Sequence, residues 1–286
     1  KKKKKKKKKN LKKKKKKKKR DAISKLEELS KLNNIKLISL GSKGALSKAW
    51  YCINDDIVLV KGNSLYSYEP FSEAYASILA DLLGFEHISY WLDSSLVYFD
   101  VDTYSNIEYV SLCKYYALDK GLFRLSFFDY VCEKCKGTAI KPKMLTLDEI
   151  FEYLLMLPMN IQQKIFEILH FDAIICNVDR HMRNIELVSN KHGDIVDVIP
   201  IFDCGASLLY TNSNDWDYDS CSAFKITHKE QVRQIYEHKY VNKAKISSNT
   251  VSEFKDKAYN IFKCDSRPCI EDKILSFIEK RIKLYV

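Results

Sequence analysis

The chain has 286 residues, 46% of them hydrophobic and 12% aromatic, enough apolar material for at least one large core and, at this length, for two lobes. The formal net charge of +12 points at first to nucleic acid or a membrane, but residues 1–20 hold 17 lysines and Arg20, which leaves −6 for residues 21–286 and argues against a nucleic-acid partner for the folded part. No apolar run reaches the ~20 residues that cross a bilayer, which excludes a helical span. Nine cysteines, an odd number without a signal peptide, argue for free thiols in a reducing compartment.

In chain order, residues 1–20 cannot bury apolar area and repel one another, so they are expected to be disordered or artefactual, with a tail for a polyanion as the alternative. Ile23, Leu26, Leu29 and Leu32 recur about one turn apart and predict a short helix ending at Asn33-Asn34. Strands are then predicted at Leu37-Ile38-Ser39-Leu40, Ala49 to Ile53 and Ile57 to Lys61, the last two joined by an Asn54-Asp55-Asp56 turn. A helix is expected over Ser72 to Leu83, with Ser72 capping and Gly84 terminating. Further strands follow at Ile88 to Leu92, Leu96 to Val101 and Glu108 to Cys113.

Helical periodicity takes over near Leu125 to Cys135, Leu147 to Leu157 and Asn160 to Ile175, and Thr146 with Glu149 forms a capping box for the second of these. A hairpin is expected from Ile185 to Val188 and Ile195 to Ile201, turning at Lys191-His192-Gly193-Asp194, and a last helix from Ile270 to Tyr285. The expected organisation is α+β and bilobal: a tail over 1–20, a β-rich amino-terminal lobe over 21–116 and a mainly helical carboxy-terminal lobe over 117–286. Cys132 and Cys135 have C-x-x-C spacing, but no second pair or nearby His completes a zinc site.

Asn177-Val178-Asp179-Arg180-His181-Met182-Arg183-Asn184 places strongly polar side chains between a buried helix and a strand. A capped turn, with Asn and Asp satisfying backbone groups and Arg pairing with Asp, is one explanation. A second segment favours chemistry: Asp203 ends the apolar run Ile199-Pro200-Ile201-Phe202, and Gly205 two residues on permits an unusual backbone turn. Phosphoryl transfer needs a carboxylate beside the attacking hydroxyl, hard oxygen ligands for Mg²⁺ and a cation on the phosphates. Asp179 fits the first role, Asn184 and Asp203 the second, and Lys61 the third, with Glu73 as an ion-pair partner for Lys61. Taken singly, Lys61 reads as a solvated strand end and Glu73 as a surface helix charge.

The stretch from His170 to Asn184, followed by Pro200 to Leu208, resembles the carboxy-terminal core of HipA-like serine/threonine kinases, and its DRHxxN element is shared with phosphoinositide 3- and 4-kinases. The resemblance covers about residues 37–210 and is strong over 170–208. It implies a bilobal protein-kinase-like fold with ATP between the lobes, Asp179 as catalytic base, and Asn184 and Asp203 on magnesium. It also places the strand Tyr109 to Lys114, with Cys113, against adenine. The loop Gly41-Ser42-Lys43-Gly44-Ala45-Leu46-Ser47-Lys48 departs from the family by lacking G-x-G-x-x-G; its amides either cover the phosphates or form a plain turn. HipA itself carries a further amino-terminal subdomain, so a compact relative is expected.

Between Ala206 and Ser222 lie Asp215, Asp217 and Asp219 with Tyr210, Trp216 and Tyr218, and no Lys or Arg. Such a segment suits a basic peptide better than a polyanionic inositol headgroup, so a Ser/Thr of a protein, including this chain itself, is the expected acceptor. A lipid kinase and a catalytically silent nucleotide-binding scaffold with a protein partner, such as an antitoxin, are the alternatives. Cytoplasmic residence is expected, with secretion by a route that reads no cleavable signal as the alternative.

Overall fold

The structure is a computed structural model that describes residues 35–38, 47–64, 67–94, 109–211 and 222–286. The helix expected before Asn34, the strand expected at Leu96 to Val101 and the glycine loop with Gly41, Ser42, Lys43 and Gly44 lie outside the described residues. The chain divides into two compact units, one of residues up to Pro70 with Tyr90–Tyr115, the other of Phe71–Ser89 with Tyr116–Val286. The secondary structure is mixed α+β.

The first unit is a five-stranded antiparallel sheet in the order β1-β2-β3-β5-β4, with β1 Lys36–Ile38, β2 Lys48–Ile53, β3 Asp56–Lys61, β4 Tyr90–Ser94 and β5 Tyr109–Lys114. Side chains alternate between faces along a strand. Tyr51, Val58, Val60, Val110 and Leu112 therefore gather with Ile35 into a buried apolar cluster on one face. The register pairs Leu59 with Cys113, Lys61 with Ser111 and Tyr90 with Cys113, so Lys61, Ser111, Cys113 and Tyr90 share the other face. The turn between β2 and β3 places Asn54 and Asp55 at positive φ, a conformation these two residues tolerate.

Helix α1 runs Glu69–Leu83. It starts three residues before the expected cap: Pro70 is acceptable in the first turn of a helix, where its missing N–H is not needed, and Ser72 lies inside and is fully buried. Gly84 at φ 77° ends it as expected.

In the second unit, α2 Phe127–Lys134, α3 Leu147–Leu154, α4 Met159–Ile175, α5 His228–Glu237, α6 Thr250–Cys264 and α7 Ile270–Tyr285 accompany a three-stranded antiparallel sheet, β6-β7-β8. The Thr146/Glu149 capping box is present at α3. Strands β7 Glu186–Ser189 and β8 Ile195–Val198 form the expected hairpin, whose turn is closed by Asn190 Oδ1 accepting the amides of His192 at 2.8 Å and Asp194 at 3.1 Å. Strand β6, Phe123–Ser126, takes in Leu125 and Ser126, the residues expected to begin a helix. Its backbone pairs with β7 from Phe123–Ser189 to Ser126–Glu186, and the helix starts only after Ser126 caps it. Past Val198 the chain leaves the hairpin, and Ile201 forms a parallel bridge to His87 through Ile88 N–H to Ile201 O at 2.8 Å and Ile201 N–H to Glu86 O at 3.1 Å.

Candidate active site

Helix α4 carries a buried carboxylate, Asp172, one turn before its end. The helix closes on Cys176 in the left-handed conformation (φ 55°), and Asn177 N–H returns to Asp172 O at 2.9 Å, a Schellman-type end made without glycine. The Asn177 side chain then works in both directions, donating to Asp172 Oδ1 at 2.9 Å and accepting Asp179 N–H at 3.1 Å. The carbonyl of Asp179 accepts His181 N–H at 2.9 Å and Asn184 Nδ2 at 3.1 Å. The backbone of Asp179 is thereby held on both sides while its side chain is exposed.

Arg180 is the largest of the fully buried side chains around this loop. Its Nε donates to Asp172 Oδ2 at 2.9 Å, and Nη1 donates to the carbonyls of both Asn184 (2.9 Å) and Phe202 (2.6 Å). Nη2 lies 3.3 Å from Cys204 Sγ. Burial opposes the charge on the guanidinium, but Asp172, with smaller contributions from Cys204 and Asp203, offsets this, and the Arg180 pKa stands above its ordinary value. Burial pushes the Cys204 thiol well above its usual range, so it sits there as a neutral group. The pairing that one reading of the loop anticipated is real, but Arg180 pairs with Asp172 on the helix rather than with Asp179 beside it.

Asp203 follows Phe202 directly and is itself left-handed (φ 57°), whereas Gly205 does not have positive φ. The unusual turn expected at the glycine thus falls on the carboxylate-bearing residue. The next amide, Cys204 N–H, donates to Glu73 Oε2 at 2.8 Å. Glu73 is 1% exposed, which removes the surface-charge reading of this residue. Ala206 O accepts Val178 N–H at 3.1 Å and Leu208 N–H reaches Ile175 O at 3.0 Å, so the segment after Asp203 runs against the loop that carries Asp179.

Asn184 and Asp203 offer the hard oxygens that Mg²⁺ takes. A carbonyl can only accept, so the Asn184 atom facing Asp179 O is the NH₂ group, and Oδ1 is the end left for a cation. Among the described residues no cluster of three or more His, Cys, Asp or Glu is placed to hold a metal. Mg²⁺ commonly takes one or two protein oxygens, with water and substrate phosphates completing its shell. A pocket lined by Glu86, Lys164, Glu167, Ile168 and Val198 to Ile201 contains none of Asp179, Asn184 and Asp203.

In the first unit, Lys61 is 3% exposed, with Nζ 5.3 Å from the centre of the Tyr90 ring, so it is not a solvated strand end. Cys113 is buried on the same sheet face. Glu69, absent from the sequence-based candidates, is also buried there. It accepts Ser64 N–H at 3.2 Å, Ser64 Oγ at 2.8 Å and the Ser67 hydroxyl, and burial raises its carboxyl pKa. Asp172 was likewise missed. Its signal was a lone carboxylate inside the apolar run Ile168 to Cys176, where a charge survives burial only if paired. His228, whose Nε2 lies 3.0 Å from Asn177 O, had no sequence signal at all.

This combination of antiparallel sheet, helical unit and paired acidic loops defines a kinase-like fold. No protein-family model matches the chain, and no curated protein sequence matches it either. Among solved structures, the chain is similar to the Helicobacter pylori proinflammatory kinase CtkA at TM-score 0.62 and 16% identity, over 88% of this chain and 94% of that one. It also aligns with Shewanella oneidensis HipA from a complex with HipB and operator DNA (TM-score 0.49, 11% identity, 88% of this chain and 64% of that one). A Golgi casein kinase aligns at TM-score 0.39 and 12% identity, over 87% of this chain and 73% of that one.

Proposed function

We propose that the chain is a Mg²⁺- and ATP-dependent kinase that transfers the γ-phosphate to a Ser or Thr hydroxyl of a protein. The observation that carries this reading is the shared donor at Arg180, whose Nη1 binds the carbonyls of Asn184 and Phe202 and so ties the loop bearing Asp179 and Asn184 to the turn bearing Asp203. One base and two oxygen ligands thereby belong to one rigid assembly, which is what phosphoryl transfer asks of a protein.

In this reading the Asp179 carboxylate orients the acceptor hydroxyl and takes its proton as the oxygen attacks the γ-phosphorus. The bond from phosphorus to the β–γ bridging oxygen breaks, and ADP leaves. Magnesium, when bound, neutralises charge on the phosphate oxygens; Asn184 and Asp203 would hold it. Glu73 keeps the Cys204 amide, and with it the Asp203 turn, in place. Lys61 is assigned to the phosphates, and the face it shares with Cys113 and Tyr90 to the nucleotide. Asp215, Asp217 and Asp219, in a stretch without Lys or Arg, favour an acceptor with basic residues near the hydroxyl.

The test is transfer from γ-labelled ATP with Mg²⁺, with the protein alone, with basic proteins and with phosphoinositide vesicles as acceptors. Label on protein Ser/Thr that disappears in Asp179→Ala is expected. Label on lipid alone would move the assignment to a lipid kinase. Stabilisation by nucleotide with no transfer to any acceptor would replace the enzyme with a binding scaffold.

A further inference from the structure

Two adjacent leucines, Leu208 and Leu209, both adopt the left-handed conformation, with φ 46° and 59°. Leucine resists this region because its Cβ crowds the backbone, and two in succession persist only where surrounding contacts hold them. Leu208 is fully buried and its amide is fixed on Ile175 O. Leu209 is held from elsewhere: the guanidinium of Arg267, in the link between α6 and α7, donates through Nη1 to Leu209 O.

That guanidinium is itself oriented. Arg267 Nε lies 2.9 Å from Asp265 Oδ1 and Nη2 lies 2.6 Å from Oδ2, and the Tyr75 hydroxyl donates to Oδ2 at 3.3 Å. Arg267 and Asp265 are each 6% exposed, and Tyr75 is fully buried against Phe254 and Phe262. An ion pair so thoroughly buried, aimed at one backbone carbonyl, is a fixed hydrogen-bond donor rather than a surface charge.

We propose that Arg267 is a positioning residue for phosphoryl transfer, holding Leu208–Leu209 in their strained form and, through them, the loop that carries Asp179. The connection is continuous along the backbone. Arg267 binds Leu209, Leu208 N–H binds Ile175 O, and two residues earlier Ala206 O takes the amide of Val178, the residue before Asp179. If the leucines relaxed to right-handed φ, the carbonyl of Ala206 would turn and Val178 would lose its partner. This inference rests on the kinase reading for its functional consequence but not for its structural one.

The experiment crosses Arg267→Gln with Leu209→Gly, because glycine takes positive φ without steric cost and so removes the need for the clamp. Leu209 is chosen over Leu208 because it is only half-buried. In the otherwise unchanged protein, Arg267→Gln is expected to lower kcat about tenfold, the scale of one relaxed left-handed residue, with KM for ATP within about twofold, and to speed exchange of the Val178 and Leu208 amides by a similar factor. On the Leu209→Gly background the same substitution should change kcat and exchange by no more than about threefold. Equal losses on both backgrounds, or unchanged kcat and exchange in Arg267→Gln, would overturn the proposal. Should Arg267→Gln fail to fold, Asp265→Asn, which keeps the volume and removes the orienting charge, enters the same cycle with the same expected and overturning outcomes. If the wild-type protein transfers no phosphate, the kinase reading fails, and the amide exchange alone decides for or against the clamp.

Discussion

Arg180 Nε and Asp172 Oδ2 lie 2.9 Å apart with the two side chains 2% and 1% exposed. Burial leaves the Asp172 carboxyl above its ordinary range, with Arg180 and the Asn177 amide opposing that rise, while the Arg180 guanidinium is held above its own ordinary value, so each partner offsets part of the other's cost of burial. Removing one partner, as in Asp172→Ala, is expected to cost about 3–5 kcal/mol in urea unfolding. Replacing both with apolar residues, Asp172→Leu with Arg180→Met, should recover most of that stability and still abolish transfer, because the carbonyls of Asn184 and Phe202 lose their shared donor. A fully active double variant would remove Arg180 from the argument for function.

Glu73 separates a hydrogen-bond role from a charge role. Glu73→Ala strands the buried Cys204 N–H and should cost about 1–3 kcal/mol, whereas Glu73→Gln retains an oxygen acceptor and should stay within about 1 kcal/mol of wild type. Chemical denaturation of the two variants reads the difference. Equal losses would mean that the carboxylate charge, and not the bond to Cys204, is what stabilises the turn.

Metal dependence tests Asn184 and Asp203 directly. Each substitution, Asn184→Ala and Asp203→Asn, should raise the Mg²⁺ concentration for half-maximal transfer by about tenfold or more, the scale of one lost contact to a charged group. Asp203→Asn should be the more severe, since it removes a formal charge. Titration of Mg²⁺ at fixed ATP measures both, and unchanged half-saturation in either variant would strike that residue from the metal set.

His170 gives the second unit a pH dependence. Its Nε2, 2.6 Å from the Tyr285 carbonyl, donates, and in the neutral ring that burial favours Nδ1 then accepts from the Tyr240 hydroxyl at 3.1 Å. Burial holds its pKa below the ordinary 6.5, against a smaller opposing effect of the Tyr285 bond. As pH falls through 6.5 the unfolded chain takes up the proton first. The contribution is therefore complete above that value and is lost toward the depressed folded pKa, by up to about 1.4 kcal/mol per pH unit. The drop in unfolding free energy between pH 7 and 5 should be smaller in His170→Gln than in wild type; an identical drop would assign it to other groups.

Much of the architecture was legible because it is local. The apolar runs Ala49 to Ile53 and Ile57 to Val60 on either side of the Asn54-Asp55-Asp56 turn set the β2–β3 hairpin, the Thr146/Glu149 pair set the start of α3, and Ile274, Phe277, Ile278 and Ile282 on one stripe set α7, each from neighbours within a few residues. Strand β6 was not legible. Leu125 opens the helical periodicity read from Leu125 to Cys135, four residues are too few for alternation to outweigh it, and the segment becomes a strand because its backbone meets β7, sixty or more residues away.

The candidate site divides in the same way. Residue types and order along the chain determined that Asp179, Asn184 and Asp203 could serve phosphoryl transfer, because a carboxylate and hard oxygen ligands are chemical properties carried by the residues themselves. Only the tertiary structure decided how they are held: that Arg180 answers Asp172 and ties Asn184 to Phe202, that positive φ falls on Asp203 and on two leucines instead of Gly205, and that Arg267 reaches Leu209 from 58 residues away. The reason is the cost of burying charge. A guanidinium in the interior must find its carboxylate and carbonyls wherever folding brings them, and no spacing along the chain announces which they will be.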